Sequence, residues 1–119
     1  MTVMKQFTFD SSHQLKDYDG PCANLHGHTY KLEVYVSGPL TKQGFVIDFA
    51  ILKQIVQENV VKILDHHHLN NIIEQPTAEN ITEWIWGKIA DPISNKSKTL
   101  RLSKVILWET PTSCAILEK

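Results

Sequence analysis

Between His28 and Ser37 apolar and polar side chains alternate without a break. Tyr30, Leu32, Val34 and Val36 share one parity, Thr29, Lys31, Glu33 and Tyr35 the other, and Gly38-Pro39 ends the run. Successive side chains of a strand point to opposite faces, so this segment reads as a strand with one dry face and one wet face. Strands of that kind belong to an antiparallel sheet covered on one side, because a parallel sheet, buried on both faces, reads as a continuous apolar run. Val3 to Asp10 repeats the pattern less cleanly, with Val3, Phe7 and Phe9 on one parity and Lys5 interrupting. Period two returns in the last third, at Leu100 and Leu102 and then Val105 and Leu107, up to Glu109. Thr110-Pro111-Thr112-Ser113 turns the chain into a closing strand, Cys114 to Glu118.

The middle of the chain changes period. Asp48 precedes Leu52, Ile55, Val56, Val60, Ile63 and Leu64, a spacing that predicts a helix over about 49–64 with Asp48 as its N-cap. Thr77 is the expected N-cap of a second helix, with Glu79 in its first turn, Ile81, Trp84, Ile85 and Ile89 on one face, and Asp91-Pro92 as its expected end. The order ββααββ implies an α+β domain: a four-stranded antiparallel sheet with two helices on one face. No repeat, linker or low-complexity stretch interrupts the 119 residues, so residues 1–119 read as a single domain. A domain of this size has little room to enclose a large ligand. Its site is expected to be shallow or shared between subunits.

Charge and hydropathy exclude several classes of partner. Twelve Lys and Arg against 13 Asp and Glu leave a net charge of −1, and Arg101 is the only arginine, so the basic footprint of a nucleic-acid binder is missing. No segment has the length and apolarity of a membrane span, and Met1 to Gln6 lacks the features of a signal peptide. The expectation is a cytoplasmic protein whose Cys22 and Cys114 are free thiols.

The compositional anomaly is histidine, six in all: His13, then His26 and His28 around Gly27, then His66, His67 and His68 together. On a strand His26 and His28 share a face, and His13, at the end of the first strand, supplies a third imidazole if the two strands are neighbours. Three protein imidazoles leave a zinc ion one open position, the catalytic arrangement rather than the structural one. Cys22 lies four positions before His26 in the turn-rich segment Ser11 to Leu25. A thiol near a metal or an imidazolium can be drawn towards its thiolate and serve as a base. Cys114, in an alternating strand, reads as packing. Asp65 next to His66 could orient that ring for proton transfer, while His67 and His68 read as residues complementing the end of a helix. Glu109 follows Trp108 at a strand end, and a part-buried carboxylate there needs a partner such as two N–H groups of a heterocycle.

Together, Cys22-Ala-Asn-Leu-His26-Gly-His28, Leu64-Asp65-His66-His67-His68-Leu69-Asn70, Pro76-Thr77-Ala78-Glu79-Asn80 and Trp108-Glu109-Thr110 resemble the 6-pyruvoyl-tetrahydropterin synthase superfamily. The similarity runs from Phe7-Thr-Phe-Asp-Ser-Ser-His13 through Gly44-Phe-Val-Ile-Asp48-Phe49 to the final strand. The three residues between Cys22 and His26 are most similar to its bacterial 6-carboxy-tetrahydropterin branch, which serves queuosine biosynthesis.

That resemblance implies zinc on His13, His26 and His28, Cys22 as the base, Asp65 with His66 as a proton relay, Glu109 as the anchor of the pterin and Thr77 as a further ring contact. It implies the tunnelling fold, with sheets joined into a barrel between subunits, a hexamer of two trimers and sites at subunit interfaces. The reaction implied is conversion of 7,8-dihydroneopterin triphosphate to 6-carboxy-5,6,7,8-tetrahydropterin with release of acetaldehyde and triphosphate. Elimination of triphosphate alone, giving the pyruvoyl product, and zinc or pterin binding without turnover are the alternatives. With one arginine, the triphosphate is left to lysines such as Lys16 or Lys31.

Overall fold

The computed structural model describes all 119 residues. Strand β1 (Thr2–His13) pairs antiparallel with β2 (His26–Ser37), β2 with β4 (Arg101–Thr110), and β4 with β5 (Ser113–Glu118). These are the four antiparallel strands expected. A two-residue strand, β3 (His67–His68), adds to the outer edge of β1 in parallel, which makes five strands in the order β3-β1-β2-β4-β5. Nothing in a two-residue segment has a readable period, so β3 was not foreseeable from alternation. Both long strands also extend three residues or so further than their apolar patterns. As a result His13 and His26 are strand residues, paired directly opposite each other, and the loop shrinks to residues 14–25.

One face of the sheet carries Phe7, Phe9, Tyr30, Leu32, Val34, Val105 and Leu107, all buried. Two helices cover it. The first, α1, runs from Phe49–Val56 through a π-helical stretch, Gln57–Val61, into Lys62–Leu64. Asp48 caps it as expected, its carboxylate accepting from the Ala50 N–H at 2.8 Å. The π turn has a visible cause in the residues it orients. Ile55-Val56 and Val60-Val61 are buried pairs five positions apart, too far for one straight α-helical face, and the wider turn absorbs the extra residue so that both pairs stay inward.

The second helix, α2 (Ala78–Ser94), is capped by the Thr77 hydroxyl, which accepts from Asn80 N–H. It does not stop at Asp91-Pro92, as the proline suggested. It continues to Ser94 with Pro92 inside its last turn, and the fully buried Ile93 explains why: ending earlier would pull that side chain out of the core. A proline in a last turn costs one hydrogen bond, whereas an isoleucine left exposed forfeits about 1.5–3 kcal/mol. Ile81, Ile85 and Ile89 form the rest of the buried stripe, with Trp84 at its margin. Leu64 is fully buried where α1 meets the sheet, so Leu64→Ala is expected to cost about 2–5 kcal/mol in urea unfolding at constant m-value. No helix is long and apolar enough to cross a membrane.

Candidate active site

The site lies where β1 and β2 leave the apolar core. Along β2 the parity that buries Leu32 and Tyr30 continues to His28 and His26, and along β1 the parity of Phe7 and Phe9 continues to Ser11 and His13. Register does the rest, since His13 opposes His26 and Ser11 opposes His28. The three imidazoles therefore meet on the helix-covered face, with ring centroids 4.5–5.1 Å apart and one ring nitrogen of each within 4.8 Å of the others. His13 is almost fully buried and the other two partly so.

The hydrogen bonds define which nitrogens face inward. His13 Nδ1 lies 2.7 Å from the Pro76 carbonyl, and His26 Nδ1 lies 2.6 Å from the Asn24 carbonyl. A carbonyl only accepts, so both Nδ1 atoms carry the proton, and in the neutral rings both Nε2 atoms are lone-pair acceptors. Those two Nε2 atoms face each other at 3.0 Å. The third, His28 Nε2, is buried with no hydrogen-bond partner. Two opposed lone pairs and an orphaned nitrogen are poorly placed for each other and well placed for a cation between them, with the outer carbonyls acting as the partners that usually orient metal-bound imidazoles. Burial holds the His28 pKa below the usual histidine value against the opposing pull of Glu109, which keeps the ring neutral and able to ligate. The residues present thus fit a metal ion.

Two groups to which the motifs gave no role, the Tyr30 hydroxyl and the Pro76 carbonyl, complete this cluster. The Tyr30 hydroxyl stands 3.4 Å from His13 Nδ1, and its ring packs edge-on against His13 and His28. Burial, with Glu109 and Cys22 nearby, pushes its pKa up, so it stays a neutral phenol. Its parity with His26 and His28 was the available signal. The Pro76 carbonyl had none, because main-chain acceptors are invisible in a residue pattern.

Beside the histidines a cleft of about 380 Å³ is lined by Leu15, Tyr18, Cys22, Thr77 and Glu109, among others. Glu109 is half-buried, its carboxylate 3.9 Å from His28 Nε2. Cys22 is half-buried just after the start of a short 3-10 turn, Pro21–Ala23. Cys114 borders the same cleft and is exposed in the chain, which corrects its reading as a packed thiol: β5 is an edge strand and nothing covers it. Lys16, Lys31 and Arg101 do not line the cleft. Lys31 lies over the Trp108 ring on the open face, and Arg101 sits at the opposite end of β2, donating to the Lys119 carbonyl.

Asp65 and His66 do meet, with Oδ2 to Nδ1 at 3.0 Å. Adjacent side chains rarely face one another; here His66 takes a left-handed backbone (φ 58°) and its N–H donates to the Asp10 carbonyl at 2.6 Å. The Asp10 N–H donates to the other carboxylate oxygen of Asp65 at 2.9 Å. That bond first, and His66 second, hold the Asp65 carboxyl below the ordinary aspartate range. A depressed carboxyl pKa stabilises the fold above the unfolded value and loses its effect as pH falls through the folded one. Asp65→Asn should therefore flatten the fall in Tm on acidification, a small change because the group is largely solvated.

The pair hangs on the main chain of Asp10, a residue whose parity on β1 is opposite to that of Ser11 and His13. His66, His67 and His68 border another cleft, of about 500 Å³, whose lining includes His28 of the cluster as well as Asp10 and Thr29.

Comparison with known proteins follows the same outline. A sequence profile of the 6-pyruvoyl tetrahydropterin synthase family matches residues 2–119. A 6-carboxy-5,6,7,8-tetrahydropterin synthase of Haemophilus influenzae is 36% identical over 93% of this chain and 94% of its own length. A dihydroneopterin monophosphate aldolase of Pyrococcus furiosus is 43% identical over 90% and 88%. Among solved structures, a 6-pyruvoyl tetrahydropterin synthase of Caenorhabditis elegans superposes with a TM-score of 0.87 at 27% identity, covering all of this chain and 95% of that one.

Proposed function

The chain belongs to the 6-pyruvoyl tetrahydropterin synthase family and is an enzyme of it, and from that premise we propose that it is a zinc-dependent 6-carboxy-5,6,7,8-tetrahydropterin synthase. The observation that carries the reading is the convergence of three imidazole Nε2 atoms, two of them tied behind to carbonyls, beside a cleft that holds Cys22 and Glu109. His13, His26 and His28 would hold the zinc, which when bound supplies Lewis acidity to the hydroxyl oxygens of the substrate side chain. Glu109 accepts parallel hydrogen bonds from the ring N–H and amino group of the pterin, and the Thr77 hydroxyl adds a polar contact at the ring. Cys22, as thiolate, removes a proton from the side-chain carbon made acidic there. Asp65 keeps the His66 ring oriented so that it passes protons at the cleft it shares with His28. Water is consumed as acetaldehyde and triphosphate leave. The reading includes a hexamer of two trimers, a cytoplasmic setting and a place in queuosine biosynthesis.

A second reading is favoured by a specific observation. The cleft is lined by no lysine or arginine, whereas a triphosphate calls for several cations, and the 43% identical relative is named for a monophosphate. The same thiol, metal ligands and anchor could break the bond between the two hydroxyl-bearing carbons of dihydroneopterin monophosphate, giving a hydroxymethylpterin and a two-carbon aldehyde phosphate. Incubation with each phosphate ester, with products identified by mass spectrometry, separates the two. Acetaldehyde and a carboxypterin from the triphosphate are expected. A pyruvoyl product, or turnover of the monophosphate alone, would reverse the choice. Glu109→Ala is expected to raise KM for either ester by about 10- to 100-fold, because it leaves the ring donors unpaired.

A further inference from the structure

The loop that carries Cys22, residues 14–25, is tied to the rest of the chain at few points. One main-chain bond closes it, from Leu15 N–H to the Cys22 carbonyl at 2.9 Å. The residues on either side of Leu15 are each gripped by a side-chain amide. Gln14 N–H donates to Asn70 Oδ1 at 2.9 Å, and Asn70 Nδ2 donates back to the Gln14 carbonyl at 2.7 Å. Lys16 N–H donates to Gln75 Oε1 at 2.9 Å, and Gln75 Nε2 donates back to the Lys16 carbonyl at 2.8 Å.

An amide that satisfies both main-chain groups of one residue does what a paired strand does. Two such clamps, on alternate residues, continue the edge of β1 past its last residue, His13. Leu15, between them, is left to hold Cys22. The Gln75 clamp is itself fixed. The Gln75 carbonyl accepts from Asn80 Nδ2 and from Thr77 N–H, both at 2.9 Å, and the next carbonyl, Pro76, holds His13. Thiol and metal ligand are thereby referenced to one segment, residues 70–80.

We infer that Asn70 and Gln75 are positioning residues for the reaction, clamping residues 14 and 16 so that Leu15 holds the Cys22 turn at a set distance from the histidine cluster. This rests on the reading of Cys22 as the base. Neither amide belongs to the apolar core, so their loss should spare the fold. A displacement of about 1 Å at a reacting group can cost as much as 10²-fold in rate, so small slack in this loop matters.

The test is the Asn70→Ala/Gln75→Ala double variant of the zinc-loaded, full-length protein. Hydrogen exchange at residues 14–24 is expected to accelerate, and kcat on dihydroneopterin triphosphate to fall roughly 10- to 100-fold, with KM and bound zinc unchanged. The rate of Cys22 alkylation by iodoacetamide should change, a readout that needs no substrate. Asn70→Asp with Gln75→Glu keeps the oxygens that accept the two N–H groups and should recover part of kcat. Unchanged exchange and alkylation overturn the clamp. Faster exchange with unaltered kcat overturns its role in the reaction. Failure of the underlying reading shows separately, as full turnover in Cys22→Ala with the clamps intact.

Discussion

Replacing His28 by alanine should strip the protein of its metal and of its turnover together. In the folded chain His28 Nε2 is buried with no partner, and the opposed Nε2 atoms of His13 and His26 leave no other protein group to complete a three-nitrogen set. Loss of an outer partner of a metal ligand costs roughly 10- to 100-fold in affinity, and loss of a ligand itself should exceed that. Elemental analysis after dialysis is expected to find about one zinc per chain in the parent and none in the variant. Stability carries an independent signature. Metal at 100 times its Kd stabilises the native state by about 2.7 kcal/mol, an increment the variant should lack. Without metal the variant should be no less stable than the parent, since a buried nitrogen with no partner costs about 1–3 kcal/mol and the substitution removes it. Full zinc retained in His28→Ala would count against the three-histidine centre.

Parity along two strands made most of this centre legible in advance. Tyr30, Leu32, Val34 and Val36 identify the dry face of β2, and extending that parity backwards puts His28 and His26 on it. What parity cannot supply is register. That His13 opposes His26 follows only from the pairing of β1 with β2, and the same alternation would be satisfied two residues out of step. The helices were legible where caps and stripes agree, at Asp48 and Thr77, and misread where a local rule met a tertiary demand, as at Pro92 beside the buried Ile93. Asp65 and His66 are adjacent in the chain, but their contact depends on a left-handed backbone at a histidine, an uncommon conformation that no residue pattern announces. That His66 lines one cleft with His28 was equally hidden, because it follows from the pairing of β3 with the edge of β1. The amides of Asn70 and Gln75 are the extreme case, polar residues in a turn-rich stretch whose partners lie 56 and 59 positions away.

Cys22→Ala is the substitution with the largest expected effect on rate at constant metal content. Cys22 is half-buried beside the cleft that also holds Glu109 and Thr77, and its turn is tied through Leu15 to the end of β1, next to the imidazoles. The three imidazoles would be committed to the metal, Glu109 to the ring of the substrate, and Tyr30 is a phenol whose pKa is pushed up by burial. Removing a positioned base usually lowers kcat by about 10²–10⁴-fold. Because Glu109 and the metal ligands bind the substrate whether or not the thiol is there, the loss should fall on kcat, with KM and zinc stoichiometry near those of the parent. That pattern distinguishes Cys22→Ala from His28→Ala, which loses metal, and from Glu109→Ala, which raises KM. The exposed Cys114 provides the control. It borders the same cleft from an edge strand on the far side of Glu109, so Cys114→Ala should keep the parental rate, and a loss there comparable to that of Cys22→Ala would shift the base to the wrong thiol.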